Sequence, residues 1–359
     1  RQVIDDYINA CKCFVFTSNG RKRAEIASAT FEGVYSGMTN GTVTFVDGTT
    51  KSINDLNSAG CNFMVYRPAM GILSKTDGSG AEVLYCAGLN TVNDEDSYIF
   101  PAKYIGMFKA YNNNGVLKSQ PNRTPARSLT IAKFQEYALN GGPKYGLMNY
   151  TDWCKENALM VSYFGDTNTE LNLGIGRINN FNNVKNTITG WSLPMLNSYG
   201  FVPIKDVNGN IVNCLMHFGI EGLGEWFNEF VSGFRHVKGT AYVWDENIWS
   251  ETHVGDRIFN YPVTSETAIY VSKIIAGKYF DMIPRSFGAS PLTGWCDGCW
   301  YNTEVGRLLR IGGSAHDGSL TGLSAAGLSS GLSNSYEFVG SRLAFYGDNV
   351  LVAGADLLD

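Results

Sequence analysis

Residues 312–341 read GGSAHDGSLTGLSAAGLSSGLSNSYEFVGS and close on Arg342. Seven glycines and eight serines fall in these thirty residues, and only Asp317 and Glu337 are charged. Composition of this kind, taken alone, describes a flexible linker. The flanks argue otherwise. Gly306-Arg307-Leu308-Leu309-Arg310-Ile311 leads in, Phe338-Val339-Gly340-Ser341-Arg342-Leu343-Ala344-Phe345-Tyr346 leads out, and both have strand character. A long small-residue loop between two core strands is expected to be a binding surface on a rigid scaffold.

The 359 residues can bury a large core, and two domains are expected rather than one. Charged residues make up 17%, below the average of about a quarter, and the net charge is -5. The one tight basic cluster, Arg21-Lys22-Arg23, follows the turn Ser18-Asn19-Gly20. Nucleic-acid binding would need a wider basic field, so no nucleic-acid partner is expected. No apolar run approaches the roughly twenty residues that cross a bilayer, so no membrane insertion is expected. The chain opens at Arg1 rather than Met; an upstream segment is expected, with 1–10 as the end of a longer helix.

Eight cysteines are too few for a disulfide scaffold in a chain of this length. Cys61, Cys86, Cys154 and Cys214 stand singly in apolar settings, where a buried thiol is expected. Cys11 and Cys13 share one face if they lie in a strand. Cys296 and Cys299 form a C-x-x-C within Trp295-Cys296-Asp297-Gly298-Cys299-Trp300. Zinc would need a second pair or histidines at ligand spacing, and His217, His236, His253 and His316 supply none. A redox pair would open a helix after a strand, whereas an Asp-Gly turn lies inside this one. Core thiols or a local disulfide are expected, ahead of metal or redox work, and no metal or cofactor.

About the first hundred residues are strand-like. The β-prone runs 13–17, 41–45 and 63–66 are punctuated by Asn19-Gly20, Asn40-Gly41, Asp47-Gly48 and Asp77-Gly78. Residues 1–115 are therefore expected to form a small all-β domain. The polar segment 109–127 (KAYNNNGVLKSQPNRTPAR) marks the expected boundary. Two helices follow: 129–139, capped by Ser128 and stopped by Gly141-Gly142-Pro143, and 150–163, capped by Asn149 and ended by Gly165. Residues 222–230 (GLGEWFNEF) are the one further helical candidate. Short strands, turns and long loops make up the rest, so 125–359 reads as an α+β domain.

The C-terminal residues carry a family likeness. Leu309-Arg310-Ile311-Gly312-Gly313-Ser314-Ala315, Ser319-Leu320-Thr321-Gly322, Ser333-Asn334-Ser335-Tyr336 and Phe338-Val339-Gly340-Ser341-Arg342-Leu343 resemble the end of a C-type lectin fold of the formylglycine-generating-enzyme-like branch. They most resemble the variable proteins of diversity-generating retroelements, which include phage tropism determinants. The helix pair and residues 168–176 resemble the early part of such domains. The likeness thus covers roughly 125–359 and is specific over 306–346.

In that family, mutagenic reverse transcription at adenines changes chosen side chains of a C-terminal region while the backbone stays fixed. The resemblance implies a display region at 306–346 whose outward, variable, ligand-binding residues are Ala315, His316, Asp317, Leu323, Gly327, Leu328, Ser329, Asn334, Tyr336 and Glu337. Tyr336 and His316 are the expected anchors, bordered by Trp295 or Trp300. The scaffold would be Gly312, Gly313, Gly322, Gly340 and Arg342. The partner implied is a host-cell surface protein or glycan, met by a homotrimer at a phage tail-fibre tip alongside other virion tail components. By analogy, 1–115 would serve attachment or oligomerisation. A bacterial surface-displayed protein of the same fold, or a carbohydrate-binding protein, is the alternative.

Enzymatic readings fit less well, and no enzyme is expected. Formylglycine-generating relatives need a reactive cysteine pair in the C-terminal core, yet no Cys follows Gly306. Sulfoxide-synthase relatives bind iron through three histidines, whereas the histidines here are single, with no acid partner evident. Asp245-Glu246, Glu251 and Asp256 read as loop and turn acids, since calcium takes about six to eight oxygens from an organised loop.

Overall fold

Two of the expected turn signals close N-terminal hairpins, whereas Asn40-Gly41 lies between two strand segments, Thr39–Asn40 and Thr42–Phe45. After helix α1 (Gln2–Ala10), strand β1 (Lys12–Phe16) turns at Asn19-Gly20 into β2 (Lys22–Ala29). Strand β3 (Thr42–Phe45) turns at Asp47-Gly48 into β4 (Thr50–Ser52), with Thr49 N donating to Asp47 Oδ1 at 3.0 Å. The computed structural model describes residues 2–33, 39–76, 82–89, 97–178, 180–261, 267–288, 295, 297–301 and 308–359. Arg1, the Asp77-Gly78 turn, Cys296 and the lead-in residues Gly306 and Arg307 lie outside the described residues.

Further strands are β5 (Asn62–Arg67), β6 (Lys103–Lys109), β7 (Asn228–Phe230), β8 (Thr267–Ile275) and β9 (Ile283–Phe287). They are followed by β10 (Gly298–Tyr301), β11 (Leu308–Ile311), β12 (Ala326–Ser330) and β13 (Val339–Phe345). Among the described residues these thirteen lie in one fifteen-stranded sheet, in the order β9-β8-β10-β12-β11-β7-β13-β6-β5-β1-β2-β3-β4. Off that path, Tyr145–Leu147 pairs with β13 and Val350–Leu351 with β2. The chain is thus a mixed helix-and-strand protein on a large sheet, consistent with the α+β class expected.

The expected division at 1–115 and 125–359 is not where the sheet divides. Strand β6 lies between β5 and β13, pairing antiparallel with both, so first and last parts of the chain share one ladder. The segment read as a boundary is polar for another reason. Ser119 N donates to Asn62 Oδ1, Ser119 Oγ to Phe63 O, and Gln120 Nε2 to Asn57 O and Cys61 O, all buried. Its polar side chains replace a ladder partner in the core, as buried backbone groups require.

Helix α2 spans Ile131–Leu139, and its N-cap is Thr130, whose side chain accepts from Lys133 N; Ser128, the expected cap, has φ 58 and donates from its backbone to Tyr336 O. Helix α3 (Tyr150–Phe164) has the expected ends: Asn149 and Asp152 form a capping box, and Gly165 is left-handed. The helical candidate at 222–230 is wrong. Gly222, Gly224 and Trp226 have φ of +69, +90 and +73, outside the right-handed helix, and the run ends as β7.

Helix α3 is buried on nearly all sides, including its charged residues. Arg67 forks onto Glu156, Nε to Oε1 at 2.7 Å and Nη2 to Oε2 at 3.0 Å. His217 Nε2 lies 3.1 Å from Glu156 Oε2, an ion-pair distance without hydrogen-bond alignment. The expectation that no histidine has an acid partner is therefore corrected, because residues 67, 156 and 217 meet only through packing. Cys11, Cys13, Cys61, Cys154 and Cys214 are buried free thiols. Burial pushes Cys13 up to about 12, which makes it inert. Cys299 is buried, and its expected partner Cys296 is outside the described residues.

Candidate recognition surface

The segment between β11 and β13 is fastened at its base by close backbone approach. Gly312 and Gly313 have φ of +81 and +36, and a Cβ on Gly312 would stand 3.0 Å from Gly224 Cα. Gly312 N donates to Ala325 O at 2.8 Å, and Ala315 N to Trp226 O at 3.2 Å. The middle of the segment is pinned to α3: Trp153 Nε1 donates to Leu323 O and Ser324 Oγ to Asn157 Oδ1, each at 2.7 Å. Asp297, buried, accepts from Ser324 N at 2.7 Å and Thr169 Oγ1 at 2.6 Å.

A Cβ on Gly322 would collide with the Asp297 carboxylate, while one on Gly327 meets only the far end of Arg310, 3.1 Å from Nη2. Gly322→Ala is therefore expected to lower stability by about 3 kcal/mol, at the upper end of overpacking costs, and Gly327→Ala by about 1 kcal/mol or less. Urea unfolding of the two variants side by side checks this; equal losses would refute the contact.

Arg342 closes the frame with all its donors. Nε and Nη2 fork onto Glu229 at 3.0 and 2.8 Å, Nη1 donates to Gly106 O and Met107 O, and Nη2 also to Glu221 O. Gly340 lets β13 pass Ala126 O, 3.0 Å from where its Cβ would be. Each of the five scaffold residues thus occupies a tight or bonded position.

The expected display residues divide into two sets. Ala315, Leu323, Gly327 and Leu328 are buried, which corrects their assignment as outward-facing. Ala315 joins a core cluster with Trp226 and Phe227; Leu323 and Leu328 belong to the main core. Gly327 pairs across to Arg310 and Trp300 and leaves room for the guanidinium. Of the expected borders, Trp295 is a core residue near Phe280, whereas Trp300 is half-buried.

His316 and Glu337 are exposed, and Asp317, Ser329, Asn334 and Tyr336 are half-exposed. They surround aromatic rings that hold them in place. His316 stacks on Phe181 at 4.3 Å and meets Phe338 edge-on at 5.5 Å. Tyr336 stacks on Phe338 at 4.9 Å. Asp317 Oδ2 accepts from Ser314 N and Oγ at 2.7 and 2.8 Å, and Lys185 Nζ lies 3.6 Å from Glu337.

Sequence reasoning missed Arg310. It lies under the two rings, 5.7 Å from the Tyr336 centroid and 5.8 Å from that of Phe338, and donates to Ser329 Oγ at 2.8 Å. Its Nε is buried without an acceptor, and burial lowers its pKa. Phe181 and Lys185 were also missed, because nothing in the spacing brings residue 181 to residue 316.

Among the described residues, no helix is long and apolar enough to cross a membrane, and no three His, Cys, Asp or Glu side chains gather at metal-ligand spacing. No protein-family model matches this chain, and no curated protein matches its sequence.

Proposed function

We propose that the chain is a receptor-binding protein, an adhesin or tropism determinant, whose C-terminal part is a C-type lectin fold presenting a diversifiable surface to a host-cell protein or glycan. The observation that supports this is the contrast within one segment. His316, Asp317, Ser329, Asn334, Tyr336 and Glu337 reach solvent. Their segment is held by tight glycine contacts, and the strand that follows it is fixed by the five hydrogen bonds of Arg342 to Glu229, Gly106, Met107 and Glu221. Side chains so placed change without disturbing the core, since surface substitutions usually shift stability by about 0.5 kcal/mol or less. The diversified set is narrower than the resemblance implied, because four of its ten positions are buried. Display as a homotrimer at a tail-fibre tip would raise a modest single-site affinity about a hundredfold or more.

The joint variant His316→Ala, Tyr336→Ala, Glu337→Ala is expected to abolish adhesion to target cells while losing about 2 kcal/mol of stability or less. A library of the whole chain randomised at these six solvent-reaching positions, selected on immobilised lysozyme, is the decisive test. Most members should fold and binders should emerge. A matched library at 315, 323, 327 and 328 should mostly fail to fold. Equal folding failure in both libraries would sink the proposal. A reverse transcriptase gene beside a near-copy of the 306–346 coding region, differing at adenines, would mark the retroelement.

A further inference from the structure

The opposite end of β13 carries a second site that the display surface does not use. Strand register places Tyr66, Tyr104 and Phe345 directly across from one another on β5, β6 and β13. Side chains in one cross-strand row share a face, so these residues make a continuous aromatic band. The Tyr66 and Tyr104 centroids are 5.0 Å apart, and those of Tyr104 and Phe345 6.4 Å. Phe345 is buried beneath the band, whereas Tyr66, Tyr104 and Tyr346 stay half-exposed. They line a cleft of about 700 Å³, within the range of small-molecule sites, roughly 300–1,000 Å³.

The charges around this cleft are balanced and mostly committed. Lys103 is buried, 3.1 Å from Asp152 Oδ1, with its ammonium 4.5 Å from the Tyr346 ring centroid. Arg23 donates to Asn349 O at 2.6 Å and lies 5.6 Å from the Tyr104 centroid. Each cation thus has a partner in the protein, Asp152 for Lys103 and Asn349 for Arg23, although Arg23 Nε and Lys103 Nζ have no aligned hydrogen-bond acceptor. Asp245 and Asp348, also on the lining, are exposed. What remains for a ligand is a platform of phenol rings with carboxylate acceptors at its rim. A phosphate or sulfate would face those carboxylates. A neutral sugar presents C–H groups to the rings and hydroxyl donors to the acceptors.

We infer that this cleft binds a neutral saccharide, stacked on Tyr66 and Tyr104 and hydrogen-bonded by Asp245 and Asp348. The site is independent of the display surface: along the seven residues of β13, at about 3.3 Å each, the two lie about 20 Å apart. It uses none of the display residues.

The whole chain is screened on an array of neutral, sialylated and sulfated glycans, and neutral hits are titrated calorimetrically. At least one neutral oligosaccharide should bind. Tyr66→Ala and Asp348→Asn should each weaken it at least about tenfold, and Tyr336→Ala should leave it unchanged. Asp348 is exposed, so its variant keeps the test sound should Tyr66→Ala fail to fold, which melting curves show. Binding of no neutral glycan overturns the inference, as does preference for sulfated or sialylated ones. So does a neutral hit that is insensitive to both cleft variants, or one lost on Tyr336→Ala.

Discussion

Arg342→Met is expected to cost about 3–5 kcal/mol, the largest loss of any single substitution considered for the display frame. The side chain is fully buried, and so is Glu229, which it forks. Without the guanidinium, Glu229 keeps only Lys109, 2.5 Å away. Burial pushes Lys109 down to about 8, so its charge is itself poorly supported there. Three carbonyls, of Gly106, Met107 and Glu221, also lose their donor. Breaking one partner of a buried pair is severe because the other charge stays behind. Against a typical total of about 5–15 kcal/mol, a loss of this size leaves a marginal fold. Arg342→Lys should recover only part of it, since an ammonium has three donors and no planar fork. Denaturant unfolding of both variants is the measurement, and a loss of about 1 kcal/mol or less for Arg342→Met would show that the frame does not depend on this residue.

Acid is expected to undo the other buried cluster. Burial alone would push the Glu156 carboxyl up; the Arg67 guanidinium and the His217 imidazole outweigh it and hold the group at about 2, against an ordinary 4.5. A carboxylate whose folded pKa is depressed contributes stability above its unfolded value and loses it as pH falls through the folded one. The window is therefore pH 4.5 down to 2, and the contribution at stake is about 3 kcal/mol. Glu229, also held low against burial by Arg342 and Lys109, adds in the same direction. Asp281 runs the other way: burial raises it to about 6, so stability falls as pH rises from 3.8 to 6. Below pH 3.8 the two no longer oppose each other. Unfolding midpoints measured from pH 6 to 2 should drop steeply below about pH 4; a flat profile down to pH 2 would exclude the ion cluster as a source of stability.

The residue order made legible whatever depends on near neighbours. Asn19-Gly20 and Asp47-Gly48 are turns, Asn149 caps a helix that Gly165 ends, and apolar runs flank the Gly/Ser segment as strands. Each rests on a backbone preference or a side-chain bond within four or five positions. The helix expected at 222–230 does not form, because Gly222, Gly224 and Trp226 take positive φ.

The family resemblance also misled within the display segment. Leu323 and Leu328 sit among serines and glycines, as an exposed loop would place them, yet both pack in the main core. Leu323 is drawn in by α3, more than 150 positions earlier, through the bonds of Trp153 Nε1 to Leu323 O and of Ser324 Oγ to Asn157 Oδ1, and Leu328 is carried into the sheet on β12. Separation along the chain likewise hides Arg310 beneath Tyr336, Phe181 beside His316, and the cross-strand row of Tyr66, Tyr104 and Phe345. Local rules could name the strands and the Asn149 cap, because those follow from conformational preference over a few residues. Which side chains reach solvent, and which charges neutralise one another, was settled by long-range pairing in a shared sheet, where a partner is chosen by packing and carries no mark in its neighbours.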